Sequence, residues 1–373
     1  MKRNIKIYEM TLFHLTILLL LFGMVMLYSA SGTIAINKFG WEKYNFFINK
    51  HIIRVAIGSI GLLIMYNLNL EFIRMNSKNI LFLSWIVTLI AYLLSDIDGF
   101  TTRRFLIING QNILTTSDFS RFSIILFTAY FIDENKKNIN DIKLISKKFL
   151  PYFIITILLI IGQPDFSSAF IISTIIISML LVAGIKLKYF LSILIPSSIA
   201  SLLILLSKPY AKSRLLSWLT GDDYNPTTQM ARSIQAIYNG GFWGQGFGNS
   251  IIKEGFIAEG HTDFILPIIS EELGFAGIFC LFILFFIFYF ICIRICKNSP
   301  NIFCLMLTLG IAFNILFYFL INSSYVIGLL PPTGLAVPFI SYGGSHTLFT
   351  LISIGVILNI SKYSNIYRRK YYE

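Results

Sequence analysis

Residues 225–276 read NPTTQMARSIQAIYNGGFWGQGFGNSIIKEGFIAEGHTDFILPIISEELGFA, and long apolar runs lie on either side of them. The passage gathers Arg232, Lys253, Glu254, Glu259, His261, Asp263, Glu271 and Glu272. A connection of this length is uncommon unless it is functional or disordered, and its many Gly, aromatic and apolar anchors argue against disorder. It is therefore read as the working part of the chain, with the apolar runs as its housing.

Those runs decide the fold class. Of the 373 residues, 56% are hydrophobic and 13% charged, and the mean hydropathy is +0.74, which excludes an ordinary soluble domain. Windows of spanning length fall near 10–30, 52–70, 80–95, 119–133, 149–163, 168–185, 189–207, 277–296, 302–322 and 346–360. The expectation is an all-α polytopic membrane protein of about ten transmembrane helices, one integral-membrane domain over 1–373, with a large outer loop at 208–262 between spans 7 and 8. The N-terminal apolar run, behind Lys2, Arg3 and Lys6, is too long for a signal peptide and lacks a clean cleavage site, so it reads as a retained first span.

A net charge of +12 would suit nucleic acid if it lay on one soluble face. Here the basic residues sit in short loops between spans, so no nucleic-acid partner is expected. With the N-terminus in the cytoplasm, Arg74, Lys78, Lys136, Lys137, Lys143, Lys147, Lys148, Lys186, Lys188, Arg294, Lys297 and the basic tail all fall inside, as the positive-inside rule requires, and both termini are cytoplasmic. The outer side then carries 31–51, 96–118, 208–262, 323–345 and the short turn 163–165. Segment 31–51, with aromatics set among charges, reads as interfacial. Cys280, Cys292, Cys296 and Cys304 lie in or beside apolar spans without a ligand-rich loop, and read as structural thiols.

Within the opening stretch, Asn225-Pro226 makes a good helix start and Asn239-Gly240-Gly241 a good stop. Met230, Ile234 and Ile237 form an apolar stripe between them, with Gln229 and Arg232 off it. The glycines of WGQGFGNS (243–250) lack the lysine spacing of a phosphate loop and read as turn formers. Pro267 argues for a break between a short entry helix at 263–266 and the later span. Asp263, where the chain re-enters an apolar run, is by itself read as a helix cap ahead of a general base. Its neighbours on the outer side shift the balance: Arg103, Arg104, Asp118 and Arg121 in 101–121; Gln163 and Asp165 in 163–168; Thr333, Ser341, Tyr342, Ser345 and His346 in 331–346. Each has an ordinary structural reading, but four such segments on one face bear groups suited to sugars and phosphates.

Taken together, Arg103-Arg104, SD-x-x-R at 117–121, QPDF at 163–166, GFWGQGFGNS, E-x-HTDFI at 259–265, EELGFAG at 271–277 and PPTG with PFISYGGS at 331–345 resemble the SEDS family of bacterial cell-wall polymerases. The match covers nearly the whole chain, and GFGNS with the PPTG–SYGGS pair is closer to the FtsW branch than to RodA. The resemblance implies a multi-pass protein of the cytoplasmic (inner) membrane that polymerises lipid II into glycan strands during division. By analogy Asp263 is the catalytic base and Arg103, Arg104 and Arg121 meet the pyrophosphate. Asp118, Gln163, Asp165, Gln229, Glu259, His261, Thr333, Ser341 and Ser345 complete the candidate substrate contacts. A divalent cation, Mg or Mn, with ligands unassigned, is the implied cofactor; a class B penicillin-binding transpeptidase and other divisome proteins are the implied partners. The chain departs from the family at Ile257-Ala258-Glu259-Gly260, where LPExH is usual, and at Thr115-Thr116-Ser117-Asp118 with Arg121, where QPSE-x-x-K is usual; Asp118 reaches one methylene less far than Glu. A lipid II flippase and a non-catalytic division scaffold are the alternative functions.

Overall fold

A bilayer offers no water to satisfy backbone groups, so long Leu-, Ile- and Phe-rich runs resolve into helices that pair every amide internally. The computed structural model describes residues 2–97, 104–108, 111–186, 209–222, 225, 228–253 and 260–372. Its helices are α1 (Lys2–Phe39), α2 (Phe46–Asn67), α3 (Leu70–Met75), α4 (Ser77–Ile97), α5 (Thr116–Glu134), α6 (Ile142–Lys148), α7 (Leu150–Gly162), α8 (Phe166–Val182), α9 (Pro209–Thr220), α10 (Gln229–Gly240), α11 (Ile265–Lys297), α12 (Ile302–Val326) and α13 (Ser345–Tyr372). Among the described residues α1, α2, α4, α11, α12 and α13 are long and apolar enough to cross a membrane, and α6 with α7, bent by 44°, adds a seventh candidate. Two shorter or more polar helices, α8 and α5, account for the windows at 168–185 and 119–133. The window at 189–207 lies outside the described residues.

The most charged of the central helices is also among the most enclosed. Almost every residue of α5 from Thr116 to Ile132 is buried, against α4, α8, α12 and α13. Lipid-facing surface lies elsewhere: Ile53, Ile57 and Ile60 on α2, and Phe279 and Phe286 on α11, are exposed, as residues bathed in hydrocarbon would be. Between α4 and α5 an antiparallel hairpin pairs β1 (Phe105–Ile108) with β2 (Gln111–Thr115), Phe105 opposite Thr115 and Ile108 opposite Gln111. Segment 31–51 is divided among three elements: α1 runs on to Phe39, a short 3-10 turn covers Trp41–Lys43 and α2 starts at Phe46.

Two local expectations shift. Helix α10 is capped by Thr228, whose hydroxyl accepts from the Ala231 amide, rather than by Asn225. Its buried face is Met230, Ser233, Ala236 and Gly240, not Met230, Ile234 and Ile237, because small residues let the helix approach α11 closely. A Cβ on Gly240 would strike the Ser270 carbonyl. The break expected at Pro267 falls instead at Gly274, at φ 67° and ψ −170°. Proline in the first turn displaces no helical hydrogen bond. At Gly274 the interrupted helix finds new partners: Gln245 and Gly246 amides donate to the carbonyls of Glu271 and Glu272 (2.9 and 3.0 Å), while the amides of Phe275 and Ala276 donate to Gly241 and Phe242 (2.9 and 3.0 Å). The glycine-rich loop thus repairs the backbone pairing of the break.

Candidate functional site

One end of the bundle carries the amino ends of α2, α5, α8, α11 and α13 together with the carboxyl end of α12. Three polar assemblies form there. The first is the turn 260–264 that leads into α11. Phe264 occupies the cap position of α11 and makes no side-chain cap bond, so Asp263 is not spent as that cap. Instead its backbone carbonyl is gripped by α12: Asn322 Nδ2 donates to it at 2.9 Å, and the Tyr325 hydroxyl donates as well. The same Asn322 amide reaches the Leu335 carbonyl at 2.5 Å and the Tyr325 oxygen at 2.9 Å, so one side chain binds the Asp263 turn to the loop 327–344. That loop passes directly over the carboxylate, since a Cβ on Gly334 (φ +71°) would sit 3.3 Å from Asp263 Oδ2. Thr333, one residue earlier, holds a buried hydroxyl with no hydrogen-bond partner. Asp263 itself is half-buried.

His261 fixes the other flank. Its carbonyl accepts from the Tyr342 amide at 2.9 Å, and its ring lies 4.4 Å from Phe47 and 5.5 Å from Tyr342 between centroids. Burial raises the Tyr342 phenol above its ordinary range, against the pull of the Arg54 guanidinium 4.6 Å from its ring centre.

The second assembly centres on Arg121, 2% exposed. Its Nη2 donates to Asp118 Oδ1 at 2.7 Å and lies 3.3 Å from His346 Nδ1, while Nη1 donates to the Tyr318 hydroxyl. The His346 ring stacks on Tyr318 at 4.9 Å. A buried guanidinium is tolerable when its donors are matched in this way. Around it, Thr116 donates to Gln163 Oε1 at 2.8 Å, Gln163 Nε2 donates to the Thr88 carbonyl at 3.1 Å, and Asp165 caps α8 by accepting from the Ser168 amide at 3.2 Å. Ser345 Oγ accepts from the Thr115 amide at 2.5 Å, and Ser341 Oγ from the Val337 amide at 2.8 Å. Segment 341–346 therefore links the two assemblies: its front end holds His261 and its rear end reaches β2, Asp118 and Arg121.

Behind these lies a third assembly. Glu272, fully buried, accepts from Lys253 Nζ at 2.9 Å and from Ser29 at 2.6 Å. Glu271 accepts from Ser250, from the Ile252 amide at 3.3 Å and from Asn239 at 3.3 Å. Both carboxylates help hold the glycine-rich loop to α11, while Glu272 Oε2 is buried without a hydrogen-bond partner.

The structure thus joins Asp263, His261, Thr333 and Ser341 in one assembly, and Asp118, Arg121, Gln163, Asp165 and Ser345 in another. Gln229 opens α10, half-buried, and no side-chain bond ties it to either. Arg104 is half-buried, its guanidinium 5.0 Å from the Phe105 ring; its carbonyl accepts from the Thr116 amide at 3.1 Å, which places it beside the start of α5. Arg103 and Glu259 lie outside the described residues. Sequence reasoning passed over Tyr318, Asn322 and Tyr325. Their spacing of four and three residues puts all three on one face of α12, and polar groups aligned inside an apolar span are a readable signal.

Among the described residues no group of three or more His, Cys, Asp or Glu side chains could hold a metal ion. Asp118 is already committed to Arg121, which leaves Asp263 as a single carboxylate. One carboxylate completed by substrate phosphates and water is an ordinary setting for Mg²⁺.

The chain is similar to known proteins over most of its length. The FtsW/RodA/SpoVE family model, described as Cell cycle protein, matches residues 9–366. The chain is 33% identical over 362 residues to the probable peptidoglycan glycosyltransferase FtsW of Trichlorobacter lovleyi, covering 95% of this chain and 93% of that one. It is 32% identical to Stage V sporulation protein E of Bacillus subtilis, covering 95% and 97%. Among solved structures, a chain of a peptidoglycan synthase complex that coordinates polymerisation and crosslinking superposes with a TM-score of 0.73 at 18% identity over 95% of this chain and 97% of that one. The rod shape determining protein RodA of Thermus thermophilus superposes with a TM-score of 0.66 at 16% identity, covering 94% and 96%.

Proposed function

Because this chain belongs to the FtsW/RodA/SpoVE family of cell cycle proteins, we propose that it is a peptidoglycan glycosyltransferase that polymerises lipid II at the outer face of the cytoplasmic membrane during cell division. The observation that carries the reading is Asp263: a half-buried carboxylate not used as the cap of α11, held by its backbone from Asn322 and Tyr325, and overlain by Gly334, whose lack of a Cβ leaves room beside Oδ2. In the proposed step Asp263 takes the proton of the acceptor sugar's 4-hydroxyl. That oxygen forms the new bond to the anomeric carbon of the donor, and the bond from that carbon to the lipid pyrophosphate breaks, the pyrophosphate leaving with the electron pair. A positioned general base contributes on the order of 10²–10⁴-fold to such a step.

The departing charge needs a cationic surrounding. Arg121 supplies one buried guanidinium, oriented by Asp118, Tyr318 and His346, and Arg104 lies at the start of the same helix. Asp263 is the carboxylate that would hold a divalent cation bound with the pyrophosphate, and the cation would supply charge neutralisation there. Every buried Asp, Glu, Lys or Arg among the described residues, namely Asp118, Arg121, Asp165, Lys253, Glu271 and Glu272, lies toward the end that carries Asp263. This one-sidedness favours surface catalysis over transport, which would place polar groups on both sides of the midplane. Both termini are assigned to the cytoplasm and loop 208–262 to the periplasm on the positive-inside pattern. A class B penicillin-binding transpeptidase is the proposed partner, supported by the structural likeness to one chain of a peptidoglycan synthase complex.

The test is glycan-strand formation from lipid II by the purified protein with its transpeptidase. Asp263→Asn is expected to abolish polymer while leaving folding and partner binding intact. Undiminished polymer from that variant refutes the assignment. Lipid II movement across vesicles, measured with the same variant, separates a flippase.

A further inference from the structure

The Arg121 guanidinium is paired with Asp118 and Tyr318; that of Arg54 has no such carboxylate among the described residues. Arg54 lies in α2, inside a membrane-spanning segment, with its Nη1 buried and lacking any hydrogen-bond partner. No carboxylate neutralises it among the described residues; its neighbours are the Tyr342 ring, 4.6 Å from its guanidinium carbon, and the backbone of Gly344, where a Cβ would stand 3.3 Å from Cζ. One helical turn earlier, His51 is completely buried with both ring nitrogens unpartnered, its ring 6.0 Å from Tyr342. Residues three apart on a helix share a face, so both side chains address the same place.

That place is the start of α13, which begins at Ser345 immediately after Gly343-Gly344. The first amides of a helix have no intrahelical acceptor, and the helix dipole makes this end positive. An arginine set against a positive helix end is repelled unless an anion lies between them, and a helix amino end with a free guanidinium is well suited to receive one. The route to the site selects the anion. The neighbouring face of α2 is Ile53, Ile57 and Ile60, all exposed to the surrounding hydrocarbon, so the charge must arrive on a lipid.

We propose that Arg54, His51 and the amino end of α13 form a binding subsite for the phosphate group of a membrane lipid, separate from the Asp118–Arg121 assembly. The guanidinium fork would bind the phosphate oxygens in pairs, and His51 would donate one further hydrogen bond. The phosphate has two available sources, a polyprenyl phosphate carrier or a phospholipid. Only the first rests on the polymerase reading, and binding is read without turnover, so the two can fail independently.

The experiment measures binding of undecaprenyl phosphate, undecaprenol and phosphatidylglycerol to the purified full chain in nonionic detergent by native mass spectrometry. Undecaprenyl phosphate is expected to bind and uncharged undecaprenol not. Arg54→Gln should weaken the phosphate lipid by roughly tenfold or more, with Arg54→Lys intermediate because it keeps the charge and loses the fork. Should Arg54→Gln fold poorly by its thermal midpoint, Gly344→Ala provides the second reading, since its methyl displaces the guanidinium while retaining the charge. A loss confined to undecaprenyl phosphate assigns the carrier, and a loss confined to phosphatidylglycerol assigns a phospholipid. Equal affinity of wild type, Arg54→Gln and Gly344→Ala for both phosphate lipids overturns the proposal.

Discussion

Replacing Asn322 by leucine separates holding the Asp263 turn from supplying the chemistry proposed for it. The Asn322 amide donates to the carbonyls of Asp263 (2.9 Å) and Leu335 (2.5 Å). Leucine keeps the branching of the side chain and removes both bonds, together with the one to the Tyr325 oxygen. The Asp263 carbonyl keeps the Tyr325 hydroxyl, so it loses one of two partners, a net effect of about 1 kcal/mol. The Leu335 carbonyl, buried with its residue, loses the donor that reached it, at roughly 1–3 kcal/mol. A stability loss of about 2–4 kcal/mol follows, visible as a lower thermal midpoint in detergent. The larger consequence is for rate. The turn would pivot on Tyr325 alone, and a displacement of about 1 Å in a catalytic group is enough to lower turnover by roughly 10²-fold. Glycan polymerisation per folded molecule should therefore fall by one to two orders of magnitude in kcat. KM should change little, because the Asn322 bonds go to two backbone carbonyls and to the Tyr325 hydroxyl. Tyr325→Phe, which leaves both Asn322 bonds in place, should be milder. Wild-type kcat in Asn322→Leu at equal folded concentration would refute the idea that α12 positions Asp263.

Lys253→Met leaves Glu272 buried with only Ser29 as a charge-stabilising donor and should destabilise the protein by about 3–5 kcal/mol; adding Glu272→Gln should restore much of the thermal midpoint, and a single variant as stable as wild type would show the pair to be dispensable. Arg121→Lys preserves charge beside Asp118 but cannot reach Asp118, Tyr318 and His346 together, so polymerisation should drop at least tenfold with folding intact; an unchanged rate would mean that charge alone is required there.

Much of this fold could be read from residue types, because spanning length is a local property. Nine apolar windows coincide with helices, and the tenth, 189–207, falls outside the described residues. The hairpin at 105–115 was equally legible, as two β-rich runs separated by Asn109-Gly110, but it was read together with its flanking arginines as a binding segment. Site residues were readable in the measure that they occupy polar loops. Asp118, Arg121, Gln163, Asp165, Ser341 and Ser345 stand out against apolar surroundings, whereas their partners Tyr318 and Asn322 sit inside α12 and read as isolated polar residues until α12 is placed against α5 and α11. Arg54 is the extreme case. In the sequence it is one basic residue near the start of a span, best explained by snorkelling; what gives it meaning is Gly344, 290 positions away in the chain, where a Cβ would stand 3.3 Å from its guanidinium carbon.

The misplaced break in α11 shows why backbone partners resist sequence reading and what they accomplish here. A proline rule applied at Pro267 is local, but where a helix can afford to break depends on which distant amides and carbonyls replace the lost bonds. The loop 241–246 offers those replacements to residues 271, 272, 275 and 276, which places the break one turn after the buried pair of carboxylates rather than before it. As a result 265–273 is an unbroken helical piece, clamped at its front by Asn322 and Tyr325 through the Asp263 carbonyl and at its rear by Lys253, Ser250 and Asn239 through Glu272 and Glu271. Asp263 is thus the leading end of a short rigid rod held at both ends. Loosening the rear clamp with Lys253→Met should then disturb the catalytic turn as well as the fold, whereas a cavity of equal cost in α13, distant from the rod, should lower stability alone.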